Sequence, residues 1–413
     1  MLATASFDQV LIGGLGHPYD DLIAARLESQ GASSKTLGEF DADALARGRR
    51  VLPKGQCAPA LYTTGALLRA ASQAHASDTL AFVSPQSCGP CRYALFADAW
   101  RRSLRRSRVA NVTVLGLDHS PESLPAFIDS ELGQHVVQCL AIGDALTATF
   151  RRLLPLAERL EQLEGSYRNA ARDIAKSIAA GATPFAALHE ARSWHREVAF
   201  RHGEISARVG LVGDPWALHV DGDGQVNAPR RLALLGIETV VPPSLLWLAY
   251  QLWLAPLEWG QQRASREVEK AADTQLHRLQ DALATAHRAA EIPDQPIPAV
   301  AELARLASPF IAPTLRGGYG FIEVGLALRY AMHDAMDGVL SLKSFGCVPS
   351  VGVSDAVMPS ALRGAVPFLS IEVTGDPSAT RESRLMLFAA NAIDHRARSG
   401  ARAELALHAP ELR

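Results

Sequence analysis

Apolar residues in this chain gather into short continuous runs instead of alternating with polar ones. Gln9–Gly13 (QVLIG), Thr79–Val83 (TLAFV) and Val112–Leu117 (VTVLGL) read as strands buried on both faces. Between them, Leu22–Gln30 predicts a helix stopped by Gly31, and a second helix runs from about Tyr93 to Arg105. From Gly143 to about Phe200 the period changes, and Leu153, Leu154, Leu156, Leu160 and Leu163 recur at helical spacing. Strand signals return at Ala207–Val212 (ARVGLV), closed by Gly213-Asp214-Pro215. A helix at Arg230–Leu235 and a strand at Glu238–Val241 follow. Trp259–Ala290 is a long amphipathic helix or helix pair ended by Pro293, Pro296 and Pro298. Gly338–Ser341 and Phe368–Val373 complete the strand signals.

Buried runs separated by helices predict an α/β fold with parallel sheets covered on both faces. The expected organisation is two Rossmann- or flavodoxin-like lobes joined by a helical segment. Residues 1–145 make the first lobe, 146–205 the connector, 206–400 the second lobe with the 259–290 helical insertion, and 401–413 a tail. Both lobes follow the order strand, Gly/Pro turn, helix, strand, without a repeat at the residue level.

At 413 residues the chain is too long for one ordinary core. Its formal net charge of −2 gives no general attraction to nucleic acid or to an anionic membrane. The basic run Arg101–Arg108 reads as a solvated helix end, with docking of an acidic partner as the sharper alternative. The N-terminus lacks the pattern of a secretory signal, and the most apolar stretch, Val240–Pro256, is broken by prolines and too short to span a bilayer. These features predict a soluble cytoplasmic protein. In a reducing compartment, five cysteines without a disulfide framework point to metal, cluster or redox work.

Three segments place a cysteine at a turn beside glycine or proline. They are Gly55-Gln56-Cys57-Ala58-Pro59, Ser87-Cys88-Gly89-Pro90-Cys91-Arg92 and Phe345-Gly346-Cys347-Val348-Pro349. The last two follow predicted strands, whose carboxyl ends are where α/β folds assemble their sites. A thiolate at a helix N-terminus also gains from the helix dipole. Spacing leaves three chemistries open. Strand–CGPC–helix is the local pattern of a dithiol redox site. A distributed cysteine set also suits tetrahedral zinc. The same set suits an iron–sulfur cluster.

The order and wording of these segments resemble the superfamily of 2-hydroxyacyl-CoA dehydratases and benzoyl-CoA reductases, in particular its CoA-substrate-specific enzyme activase-like branch. The resemblance is carried by Gly16–Asp20, by Cys57–Ala60 with Gly65 and Leu68, by Ser87–Tyr93, by Val209–Pro215, and by Gly338–Pro349 with Pro367–Leu369. It spans roughly residues 10 to 390 in family order. The resemblance implies a [4Fe-4S] or double-cubane cluster in the cleft between the lobes, with ligands drawn from Cys57, Cys88, Cys91 and Cys347. It further implies an electron received from an ATP-hydrolysing activator protein, and a homodimer or a heterodimer with a homologous companion. Related sequences usually carry one cysteine of the CGPC pair, whereas this chain has both. It also lacks the phosphate loops of an actin-like ATPase and the Cys-Ser-Tyr segment expected of a dehydratase subunit. The expected function is therefore a cluster-bearing reductase or electron-transfer component. A non-catalytic companion subunit and a CGPC thiol–disulfide oxidoreductase are the alternatives.

Among the remaining residues, His17 is a candidate proton donor or partner of a cluster sulfide, and Arg92 a candidate clamp for a substrate carboxylate or phosphate. Cys139, in an apolar run, is expected to be a buried core thiol. Gly13-Gly14-Leu15-Gly16 weakly suggests a dinucleotide loop without the full glycine spacing. Asp221–Gln225 lacks the closing Glu of a calcium loop. His195 and His202 would share a helical face if the helix ran that far.

Overall fold

Eight strands in two four-stranded parallel sheets organise the chain, as the computed structural model shows for residues 7–75, 77–86, 91–118, 123–220, 222–257, 266–314, 318–376 and 378–408. The first sheet contains β1 (Gln9–Ile12), β2 (Ser34–Thr36), β3 (Leu80–Gln86) and β4 (Val112–Asp118), in the order β2-β1-β3-β4. The second contains β5 (Ala207–Gly213), β6 (Ile237–Val240), β7 (Gly338–Ser344) and β8 (Phe368–Val373), in the order β6-β5-β7-β8. The two sheets thus have the same topology, and all their strand pairs are parallel.

Burial follows position in the sheet. Central β7 (GVLSLKS) is buried at every residue, whereas edge strand β6 alternates buried and half-buried positions, as does β8. Crossovers between parallel strands need a dozen or more residues, and here helices supply them. The helix Ala42–Val51 starts where the Asp41 carboxylate accepts a bond from the Ala44 amide at 2.9 Å. It packs on the helix Ala58–Gln73 through two glycines that let the backbones touch. A Cβ at Gly48 would lie 1.9 Å from the Leu61 carbonyl oxygen, and one at Gly65 would lie 1.7 Å from that of Ala44.

The predicted strands and the long helix near 259–290 recur, the helix as Arg266–Ala289. Past Ala191 the helical reading fails. The helix Pro184–Ala191 gives way to turns through Glu197, so His195 and His202 share no helical face. Ring contacts explain the change. Trp194 packs on Tyr167 with centroids 6.0 Å apart, and His195 lies between Trp194 and Phe200. Within the basic run, Arg101 bonds Asp98 and the Val114 carbonyl, and Arg106 bonds the Val51 carbonyl, so part of that charge is used internally. Among the described residues, no helix is long and apolar enough to cross a membrane.

Residues of both sheets share one buried cluster, which includes Leu11 and Phe82 of the first and Val209 and Leu340 of the second. Loops at the carboxyl ends of the strands also meet. Gly16, after β1, lies beside Val220, which follows β5. Gly375, after β8, lies against Leu45 and Tyr62, and Arg49 pairs with Asp376 at 2.9 Å.

Candidate functional site

In sheets of this order the chain reverses direction between β1 and β3, and likewise between β5 and β7, which opens a crevice at the strands' carboxyl ends. The segments after those four strands carry the candidate chemistry. After β1, the carboxylate of Asp20 accepts bonds from the amides of Gly14 (3.1 Å), Leu15 (3.3 Å) and Gly16 (2.7 Å). The protons that a dinucleotide pyrophosphate would need are already taken by an internal carboxylate, and the dinucleotide reading of this loop falls. Burial raises the Asp20 carboxyl to about 7 against the lowering effect of those amides.

After β5, Asp214 performs a similar tie across the second sheet. One oxygen accepts from the Ala217 amide at 3.0 Å, capping the helix Pro215–His219, and the other accepts from the Ser344 amide at the end of β7. Asp214 therefore fixes the spacing of β5 and β7 at the point where Cys347 leaves the sheet. Cys347 is 9% exposed, and its sulfur lies 3.1 Å from the Tyr319 hydroxyl and 3.5 Å from that of Ser350. Ser350 in turn donates to Glu323, which is fully buried. Burial, and then Asp214, hold the Cys347 thiol well above its ordinary range, so the free side chain is a protonated thiol and not a resting thiolate nucleophile.

Tyr319 contacts the Cys347 sulfur and also feels the charge of Cys91. Burial pushes its phenol far up, and Cys347, Asp214 and Cys91 add to the push. Cys91 acts in the same direction on Tyr250 and on Tyr93. Cys91 precedes the 3-10 turn Arg92–Leu95, which leads into the helix Phe96–Arg106 after β3. Trp247 packs edge-on against Tyr319 with centroids 5.1 Å apart, and among the described residues its buried indole N–H has no hydrogen-bond partner.

Cys57 occupies the N-cap of the helix Ala58–Gln73 and lies in the apolar cluster that holds Tyr62 and Trp216. Cys88 lies outside the described residues, as does the side chain of Arg92. His17 has partners of its own. Its Nδ1 lies 2.7 Å from Asp21, and its ring meets that of Tyr167 edge-on at 5.3 Å. Cys139 is fully buried, donates to the Leu22 carbonyl and is pushed up to about 12 by burial, as a core thiol should be. Of Asp221–Gln225, Gln225 is a structural residue, accepting from Arg151 and donating to the Leu218 carbonyl. Among the described residues, no group of three or more His, Cys, Asp or Glu side chains could hold a metal ion.

Sequence reasoning missed Tyr319, Ser350, Glu323 and Trp247. Ser350 follows Cys347-Val348-Pro349 closely enough to have been noticed. Tyr319 and Glu323 lie more than twenty residues upstream, in and just before the helix Gly320–Met332, and carry no local signal.

A second buried polar group ties the two halves together. The Asp144 carboxylate accepts from the Tyr19 hydroxyl (3.0 Å) and from the amides of Ser244 (2.8 Å) and Leu245 (3.3 Å). His219 Nδ1 lies 3.4 Å from the Tyr19 hydroxyl, and burial holds that imidazole down at about 3, so it is neutral. Burial raises Asp144 from 3.8 to about 7, against the bonds from Ser244 and Tyr19. The folded protein therefore keeps a proton that the unfolded chain has released throughout that window. Stability from this group falls as pH rises from about 4 to about 7 and is level above it. Asp144→Asn cannot titrate. Urea unfolding of both proteins at about pH 5 and about pH 8 should show the variant gaining about 2 kcal/mol on the wild type at the higher pH. An unchanged gap would mean that Asp144 is ionised in the fold at both values.

No protein-family model matches the chain, and no curated protein matches it either.

Proposed function

We propose that this chain is an iron–sulfur protein. In this reading Cys91 and Cys347, together with Cys57 and Cys88, supply thiolates to a [4Fe-4S] or double-cubane cluster in a cleft between two Rossmann-like lobes. The cluster, when bound, supplies low-potential one-electron chemistry. The electron's source would be an ATP-hydrolysing activator, and the chain would use or relay it in a reductive reaction, alone or with a homologous companion.

The observation that carries the reading is the contact of the Cys347 sulfur with the Tyr319 hydroxyl at 3.1 Å, on a phenol whose ionisation Cys91, at the carboxyl end of the other sheet, also disfavours. The donor set suits such a group. Cysteine is its usual ligand, and hydroxyl or N–H donors beside the sulfurs tune its potential. Tyr319 and Ser350 already contact the Cys347 sulfur, and Trp247 offers a buried indole proton beside Tyr319.

Anaerobic purification tests the reading, with iron and acid-labile sulfide quantified beside the visible spectrum and EPR of the reduced protein. Stoichiometric iron and sulfide are expected. Protein that is colourless, free of iron and not reconstituted with iron and sulfide sinks the proposal. Weight then moves to the CGPC dithiol, which the position of Cys91 between a strand and a helical turn favours.

A further inference from the structure

Away from the strand ends that carry the cysteines, helical segments enclose a hollow of about 300 Å³, near the lower limit for small-molecule sites. Its walls come from the last turns of the helix Glu131–Leu153, the turns after Ala191, and the segment following the helix Arg266–Ala289. Three guanidiniums line it, those of Arg152, Arg192 and Arg196, against a single carboxylate, Glu291. Glu291 neutralises only Arg192, at 2.8 Å. Among the described residues the side chains of Arg152 and Arg196 make no hydrogen bond or ion pair. His195 lines the same hollow, and among the described residues its buried Nδ1 has no hydrogen-bond partner. The rest of the lining includes the apolar side chains of Leu153, Ile292 and Pro293.

Unpaired like charges beside one cavity repel one another, and folding does not require them to be there. We infer that this hollow binds a small organic molecule through a phosphate group. The surplus of two guanidiniums over carboxylates matches the charge of a phosphomonoester, which is close to −2 at neutral pH. Planar guanidinium forks fit phosphate oxygens bidentately. Burial, and then Arg196, hold the His195 imidazole below its ordinary value, so the ring adds no competing positive charge of its own to the lining. The apolar side chains take the organic part. This site is independent of the cysteines and of the cluster reading.

Calorimetric titration of the full chain tests it, with pyrophosphate, AMP and glucose 6-phosphate as probes. Adenosine and glucose serve as uncharged counterparts, and citrate as a polycarboxylate. At least one phosphate probe should bind at submillimolar concentration, while the uncharged counterparts do not. Arg152→Ala and Arg196→Ala should each weaken binding about tenfold, the effect of losing one charge-assisted hydrogen bond. Arg168→Ala, which removes an exposed ion pair with Glu39 elsewhere, should leave binding unchanged. Both lining arginines are exposed, and thermal unfolding of each variant checks that its fold is intact. The inference is overturned if no phosphate probe binds at millimolar concentration. It is equally overturned if citrate binds better than every phosphate, or if the double variant binds like the wild type.

Discussion

Cys347→Ser is expected to leave the protein folded but colourless, with iron and acid-labile sulfide at background. Serine keeps the size of the side chain and its contacts with Tyr319 and Ser350, so the surrounding bonds survive. What changes is the ligand atom. A serine hydroxyl is a hard, weakly acidic oxygen, whereas iron–sulfur clusters are held by thiolates. The hydroxyls beside the sulfur offer no substitute thiolate: they are those of Tyr319, whose phenol is driven far up by burial, and of Ser350, which donates to Glu323. Cys57→Ser should have the same outcome if that residue completes the ligand set. Cys139→Ser should keep full iron, because Cys139 belongs to the other core cluster and bonds a carbonyl there. Iron retained by both the Cys347 and the Cys57 variants would leave Cys88 and Cys91 as the chemistry of this protein. A dithiol mechanism predicts that result, since neither of the other cysteines takes part in it.

The parts of this picture that were legible in the sequence are those set by local pattern. Central strands such as β3 and β5 hold continuous apolar stretches, Leu80–Val83 and Val209–Gly213, because both of their faces are covered, and such stretches stand out in any reading. The edge strand β2 is only Ser34-Lys35-Thr36, all three polar enough for a loop, and it gave no signal. The helix Gly320–Met332 was invisible for the opposite reason. It is buried on nearly every side, so it shows no amphipathic period, and two glycines interrupt it. That helix carries Glu323 and is immediately preceded by Tyr319. The candidate site was therefore half legible. Cysteines beside glycine and proline at strand ends mark themselves, but the residues meeting them do so through a sheet topology that no local period encodes. His17 shows how little a turn position alone says about a side chain's surroundings. It stands in a turn at the end of β1, as a catalytic residue would, yet the chain there directs its ring towards Tyr167 and its Nδ1 towards Asp21.

Gly213→Ala is expected to cost at least about 3 kcal/mol, and more than any single truncation on the surface of the protein. Gly213 ends β5 at φ +138°, a region that side-chain-bearing residues rarely enter. An added Cβ would lie 1.7 Å from the Leu342 carbonyl oxygen. That oxygen is backbone of the neighbouring central strand, paired with Gly213 in register, so no rotamer change relieves the overlap. Relief requires β5 and β7 to separate at the level where Asp214 holds the Ser344 amide, three residues before Cys347. The damage should thus reach the site as well as the stability. Gly222→Ala separates the two causes. Its φ is +69° but among the described residues nothing lies within 4 Å of the added carbon, so it should cost only about 1 kcal/mol, the conformational share. Six tryptophans, including Trp216 just after Gly213, make denaturant unfolding readable by fluorescence. If the two variants unfold at the same denaturant concentration, the contact between β5 and β7 is looser than the register implies. If only the position 213 variant also loses accessibility control of Cys347, measured by its rate of alkylation, the strand pair is what keeps that thiol buried.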